Sequence, residues 1–146
     1  MNFEENLITD PAGIARLLQG LRRVAVLGIK TEDQADQPAF YVPEALQRLG
    51  LEIVPVPVYF PEVTTILGQP VYRRLVDIPG EVDMVDLFRR PQDIPQHLDD
   101  LLAKRPAAVW FQSGIRNHEA ARTLADAGIL VVQDRCLMVE YRRMRR

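Results

Sequence analysis

The sequence predicts an α/β fold: a doubly wound, Rossmann-like parallel sheet of about five strands in a single domain spanning residues 1–146. Three observations predict it. Short apolar runs alternate with segments whose apolar residues recur at helical spacing. The runs are almost wholly apolar, as strands covered on both faces must be. The connections are short, and no internal repeat, low-complexity stretch or linker interrupts them.

Asp10-Pro11 predicts a helix start, with an oxygen to cap free amides and a proline pre-set for the first turn. Ile14, Leu17, Leu18 and Leu21 follow on one face, and Gly20 helps to end the helix. Residues 23–28 are the first strand. Beyond the polar stretch 31–37, Val42, Ala45, Leu46 and Leu49 repeat at helical spacing, with Pro43 assigned to the first turn and Gly50 as the stop. Residues 51–57 form a second strand whose prolines mark its carboxyl end. The stretch 58–82 is the least regular, with a turn or short helix at 64–68 and a short strand at Val71-Tyr72. Residues 83–88 are a third strand, followed by a helix carrying Ile94, Leu98, Leu101 and Leu102. A fourth strand at 107–111 leads to a helix capped by Asn117, bearing Ala120, Ala121, Leu124 and Ala125 and ended by Gly128. A last strand at 129–132 and a terminal helix at 137–144 complete the chain.

The 146 residues suffice to bury roughly two-thirds of the unfolded surface. Eighteen basic residues against 20 acidic ones leave a net charge of −2, which argues against a general nucleic-acid or membrane surface. The lone cysteine, Cys136, excludes an internal disulfide framework and fits a reducing compartment. Residues 1–5 carry no signal-peptide pattern, and no apolar run approaches the ~18 residues of a membrane helix. The expectation is a soluble, cytoplasmic protein.

In such sheets ligands bind beyond the carboxyl ends of the strands, where strand order reverses. Four exits are nominated: the loop after Gly28, Pro55–Tyr59, Phe88–Pro91 and Gln112–Asn117. Gly28-Ile29-Lys30-Thr31, with the loop to Gln37-Pro38-Ala39, offers a tight turn, a cation, a hydroxyl and a helix N-terminus to an anion. It lacks the second and third glycines of the dinucleotide fingerprint, and an ordinary strand-to-helix turn with a solvated lysine is the competing reading. Pro55-Val56-Pro57 ends the second strand without the carboxylate that an NAD site uses for the ribose diol, and forms a rigid apolar wall suited to adenine. Phe88-Arg89-Arg90-Pro91 places two guanidinium groups at a strand exit, able to fork onto phosphate or to stand solvated. Gln112-Ser113-Gly114 provides donors and a close backbone approach after the aromatic strand containing Trp110, itself assigned to the core.

Catalytic constellations are poor. His97 falls on a polar helix face and His118 at a helix start, Asp83 and Asp86 are strand-end carboxylates without an acid–base partner, and Cys136 reads as a buried structural thiol. Two histidines and one cysteine make no zinc site, and no P-loop or nucleophile elbow is present. No catalytic or metal-ligating residue is assigned. The basic end, 142–146, complements a helix C-terminus.

These segments together resemble the small, stand-alone CoA-binding proteins, similar to the nucleotide-binding domain of the succinyl-CoA synthetase α subunit. The matching residues include Val24–Gly28, Tyr41-Val42 with Leu46, and Ile53-Val54-Pro55-Val56. They continue through Ile66-Leu67-Gly68, Tyr72, Asp77-Ile78-Pro79 and Arg90-Pro91. The most specific part is Trp110-Phe111-Gln112-Ser113-Gly114-Ile115-Arg116-Asn117 together with Asp134-Arg135-Cys136. The resemblance runs from about residue 12 to 142. It implies non-catalytic binding of coenzyme A or an acyl-CoA, with pyrophosphate at the Gly28 loop and adenosine flanked by Pro55 to Pro57. Arg89-Arg90-Pro91 and Gln112-Ser113-Gly114 would line the pantetheine path. The family usually has a basic residue and a serine just before its loop helix, where this chain has Gln37 and Ala39, and an asparagine before proline where it has Val56. Two other functions stay open: an NAD(P)-dependent oxidoreductase or ligase half-subunit, and a regulatory protein with a degenerate nucleotide site. A homo-oligomer or a separately encoded partner subunit also stays open.

Overall fold

Residues 2–146 are described by the computed structural model; Met1, the first residue of the expected domain, lies outside them. Asp10 accepts a hydrogen bond from the Gly13 amide and starts α1 (Pro11–Gln19). β1 (Arg23–Leu27), α2 (Pro38–Arg48) and β2 (Glu52–Val56) follow. Where a turn or helix and a Val71-Tyr72 strand were expected, the chain makes a miniature antiparallel pair, β3 (Thr65–Ile66) and β4 (Gln69–Pro70). Gly68 and Leu67, both with positive φ, supply its turn. β5 (Met84–Leu87) leads not into one continuous helix but through two 3-10 turns into α3 (Leu98–Lys104). Pro91 and Pro95, each opening one of those turns, explain the break. β6 (Ala108–Phe111), α4 (His118–Asp126), β7 (Leu130–Val132) and α5 (Leu137–Arg145) complete the fold.

β2-β1-β5-β6-β7 is the order of the main sheet, and every neighbouring pair is parallel. Alternate residues of each strand enter two cores. Ala25, Leu27, Val85, Leu87, Val109 and Phe111 pack with Leu101 of α3 and Leu124 of α4. Val24, Val26, Met84 and Trp110 pack with Leu18 of α1, Leu46 of α2 and Leu137 of α5. Trp110 is fully buried and its Nε1–H donates to the Arg135 carbonyl. Helices therefore cover both faces, and functional chemistry is left to the strand ends.

Two prolines sit differently from expectation. Pro55 lies inside β2, opposite Val26, which is tolerable because β2 is an edge strand. Pro43 is inside α2 rather than in its first turn, because Pro38 already starts the helix. Its missing amide leaves the Ala39 carbonyl free, and the Lys30 N–H of the β1 loop donates to that oxygen at 3.1 Å.

Candidate functional site

From β1 the chain passes to β2 on one side and later crosses to β5 on the other, so the strand order reverses between β1 and β5. A cleft of about 890 Å3 opens at this switch point, beyond the carboxyl ends of the strands.

Gly28 forms its floor at φ +91°, and a Cβ there would collide with the Phe88 carbonyl oxygen at the β5 exit. Only glycine lets the two exits come this close. The next residues are tied to α2. Lys30 docks its amide on Ala39, and its ammonium donates to Gln37 Oε1 at 3.0 Å. The amides of Ile29 and Ala39, both in the cleft lining, have no protein partner among the described residues. A cation and two amides without protein partners among the described residues thus belong to the lining where α2 begins.

Arg89 crosses the opposite wall with its side chain only 9% exposed. Its Nε donates to His97 Nε2 at 3.0 Å, and it lies 5.6 Å from the Tyr59 ring centroid. His97 is therefore not on a free polar face. Burial, then the adjacent guanidinium, holds its imidazole below the usual histidine range, which keeps Nε2 unprotonated to accept this bond. Arg90 is 70% exposed at the rim, bonded to Asp93.

Asp86 is the third of the four residues of β5, the central strand of the sheet, and is fully buried on the face shared with Val26 and Trp110. Gln112 Nε2 donates to its Oδ1 at 2.6 Å, while Oδ2 has no partner among the described residues. Burial pushes its pKa up to about 7, against the weaker opposing pull of the Gln112 bond. Gln112 itself lines the cleft, so the carboxyl sits one residue beneath the surface a ligand would touch.

The loop after β6 is fixed by the end of β7. Asp134 accepts from the Gly114 amide at 2.6 Å and from Arg116 Nε at 3.1 Å, which holds its carboxyl below the usual range. Gln133 Oε1 accepts the Asn117 amide, and the Asn117 side chain caps α4 and donates to the Pro91 carbonyl. Cys136 is half-buried, packed against the core on the α2–α5 side of the sheet and also part of the cleft lining.

The cleft brings together Gly28, Ile29, Lys30, Gln37, Pro38, Ala39, Phe88, Arg89, Arg90, Gln112, Ser113 and Gly114. Thr31, Pro55, Val56 and Pro57 are buried outside its lining, and the Thr31 hydroxyl donates to Gln34 within its own turn. At the β2 exit the wall is instead Val58, Tyr59 and Phe60. Pro91 and Ile115, which fall within the nominated exits of β5 and β6, line it as well; Tyr41 and Val42 on α2, Cys136, and Met138 and Val139 on α5 also line the cleft and were not read from the sequence as site residues. Val58 and Tyr59 belong to the exit nominated after the second strand, and Tyr59 is 61% exposed there. Among the described residues, no group of three or more acidic, histidine or cysteine side chains could hold a metal ion, and no helix is long and apolar enough to cross a membrane.

Comparison with known proteins bears on this geometry. The uncharacterized protein YneT of Bacillus subtilis (strain 168) is 33% identical over 130 residues, covering 89% of this chain and 93% of that protein. A solved protein from Thermus thermophilus, cell-free ID.343, superposes with a TM-score of 0.84 at 38% identity over 93% of this chain and 99% of its own. A hypothetical protein from Pyrococcus horikoshii OT3 superposes with a TM-score of 0.83 at 28% identity over 94% of each chain. The model of the CoA binding domain family matches residues 22–142, and the chain belongs to that family.

Proposed function

We propose that the protein binds coenzyme A or an acyl-CoA, without catalysis, in the cleft at the β1–β5 switch point. One observation carries the reading: the charged side chains lining the cleft are Lys30, Arg89 and Arg90, three cations against the one carboxylate that pairs with them, Asp93, which lies outside the lining at 3.9 Å from Arg89 and 2.7 Å from Arg90. In a chain of net charge −2, that is a local concentration of positive charge suited to a polyphosphate. The open amides of Ile29 and Ala39 extend the anion site, and Gln37 serves by holding Lys30 rather than by carrying charge. Tyr59 and Phe60 offer flat surfaces to adenine where an NAD site would need an acid for the ribose. His97 spends Nε2 on Arg89, and Asp86 is sealed beneath Gln112, which favours holding the ligand over transforming it.

Thermal melting tests this reading. Coenzyme A at about a hundred times its Kd adds ~2.7 kcal/mol of stability, while NAD at equal concentration adds much less. A protein unmoved by millimolar coenzyme A, or moved more by NAD, overturns it. Dephospho-CoA separates the cations that read the 3′-phosphate from those that read the pyrophosphate.

A further inference from the structure

The cleft's lining differs from element to element. Its cations, Lys30, Arg89 and Arg90, belong to the exits of β1 and β5. The lining residues that follow Gln112–Gly114 and those of α5 are Ile115, Cys136, Met138 and Val139, with Tyr41 of α2 nearby in the lining, and none of them is an acidic or basic residue. Tyr41 and Val139 are 40% and 43% exposed, although α2 and α5 pack against each other around them. Large apolar side chains left open inside a ligand cleft point to an apolar occupant.

We infer that the α2–α5 end of the cleft is an acyl subsite, selecting CoA thioesters of apolar acyl groups over free coenzyme A and over acyl groups ending in a carboxylate. The inference rests on the coenzyme A reading. Phosphates held by the Gly28 loop and Arg89 direct the pantetheine arm past Gln112, and the thioester end then lies among Ile115, Met138 and Val139. The chain buries methylenes there without meeting a charge to desolvate. A terminal carboxylate would lose water in that surface and find no cation in return.

Isothermal titration of the full-length protein tests it with coenzyme A, acetyl-CoA, butyryl-CoA, hexanoyl-CoA and succinyl-CoA. Each buried methylene tightens binding up to about fourfold, so hexanoyl-CoA binds about tenfold or more tighter than acetyl-CoA. Succinyl-CoA binds more weakly than butyryl-CoA. Val139→Asn cuts the hexanoyl-to-acetyl ratio to less than about threefold. Equal affinities for coenzyme A and all four thioesters overturn the acyl subsite and leave the coenzyme A reading intact. No binding by any of them overturns both. A dimer in sedimentation that Val139→Glu dissociates also overturns the subsite, because a second copy then covers this face.

Discussion

Asp86 carries the most altered chemistry of any residue in the fold. Its carboxyl is buried, one oxygen is unpaired, and its pKa rises from 3.8 to about 7. A carboxyl whose folded pKa exceeds its unfolded value holds its proton longer in the native state, so its contribution to stability falls as pH rises from about 4 to about 7. The expected slope is a few kcal/mol over that window, read from urea midpoints at each pH, and Asp86→Asn removes it. The ionised carboxylate would also lie beneath an anion site. Ionisation of Asp86 therefore opposes coenzyme A binding as pH rises through about 7, so the ratio of affinity in the natural protein to that in Asp86→Asn falls over that range, the ligand's own 3′-phosphate titration cancelling between the two. Gly28 is the opposite case, chosen for having no side chain. Gly28→Ala meets both positive φ and the Phe88 carbonyl, and loses at least about 2 kcal/mol in a melt, together with coenzyme A binding.

At the scale of elements, the cleft is shaped by connections that substitute for ordinary secondary-structure bonds. Pro43 frees the Ala39 carbonyl, and the β1 loop claims it through the Lys30 amide. Pro43→Ala restores a competing helical donor, so the Lys30 amide loses hydrogen-exchange protection while overall stability changes by less than about 1 kcal/mol. The aromatic wall is held in a comparable way. The Arg73 guanidinium donates to the carbonyls of Tyr59, Phe60, Pro61 and Val63, and so pins a loop in which Phe60 takes positive φ. Arg73→Met loosens that wall and weakens coenzyme A binding roughly fivefold by calorimetry, about 1 kcal/mol. Asp134 and Gln133 hold the Gly114–Asn117 loop, so the sequence's two most specific segments form one hydrogen-bonded unit. The family resemblance named the two segments together as its most specific part, but not the atoms that join them.

For the whole molecule, net negative charge and a positive cleft oppose each other in sign. Ligand affinity therefore depends on salt, and raising the ionic strength from about 0.05 to about 0.5 M weakens coenzyme A binding several-fold while leaving the melting temperature of the free protein nearly unchanged. The five strands of the main sheet, helix caps at Asp10 and Asn117, the buried Trp110 and the Gly28 turn were legible in the chain, because periodicity and capping are local properties; the β3–β4 pair was not. The glycine, lysine, arginine and glutamine of the cleft were legible for the same reason: each follows a strand exit. Pro55 to Pro57 were expected to flank the ligand, yet they are buried and the wall beside them is Val58 to Phe60. That displacement follows from how far β2 extends before it leaves the sheet, which depends on its register with β1. Tyr41, Met138 and Val139 lie on helices whose angle over the sheet brings them to the cleft, and no local pattern encodes that angle. Asp86 looked like a strand-end acid until its neighbours on β1 and β6 enclosed it. Local spacing thus specified the elements and the order of their exits, whereas burial, charge state and the cleft's apolar end came from contacts between residues far apart in the chain.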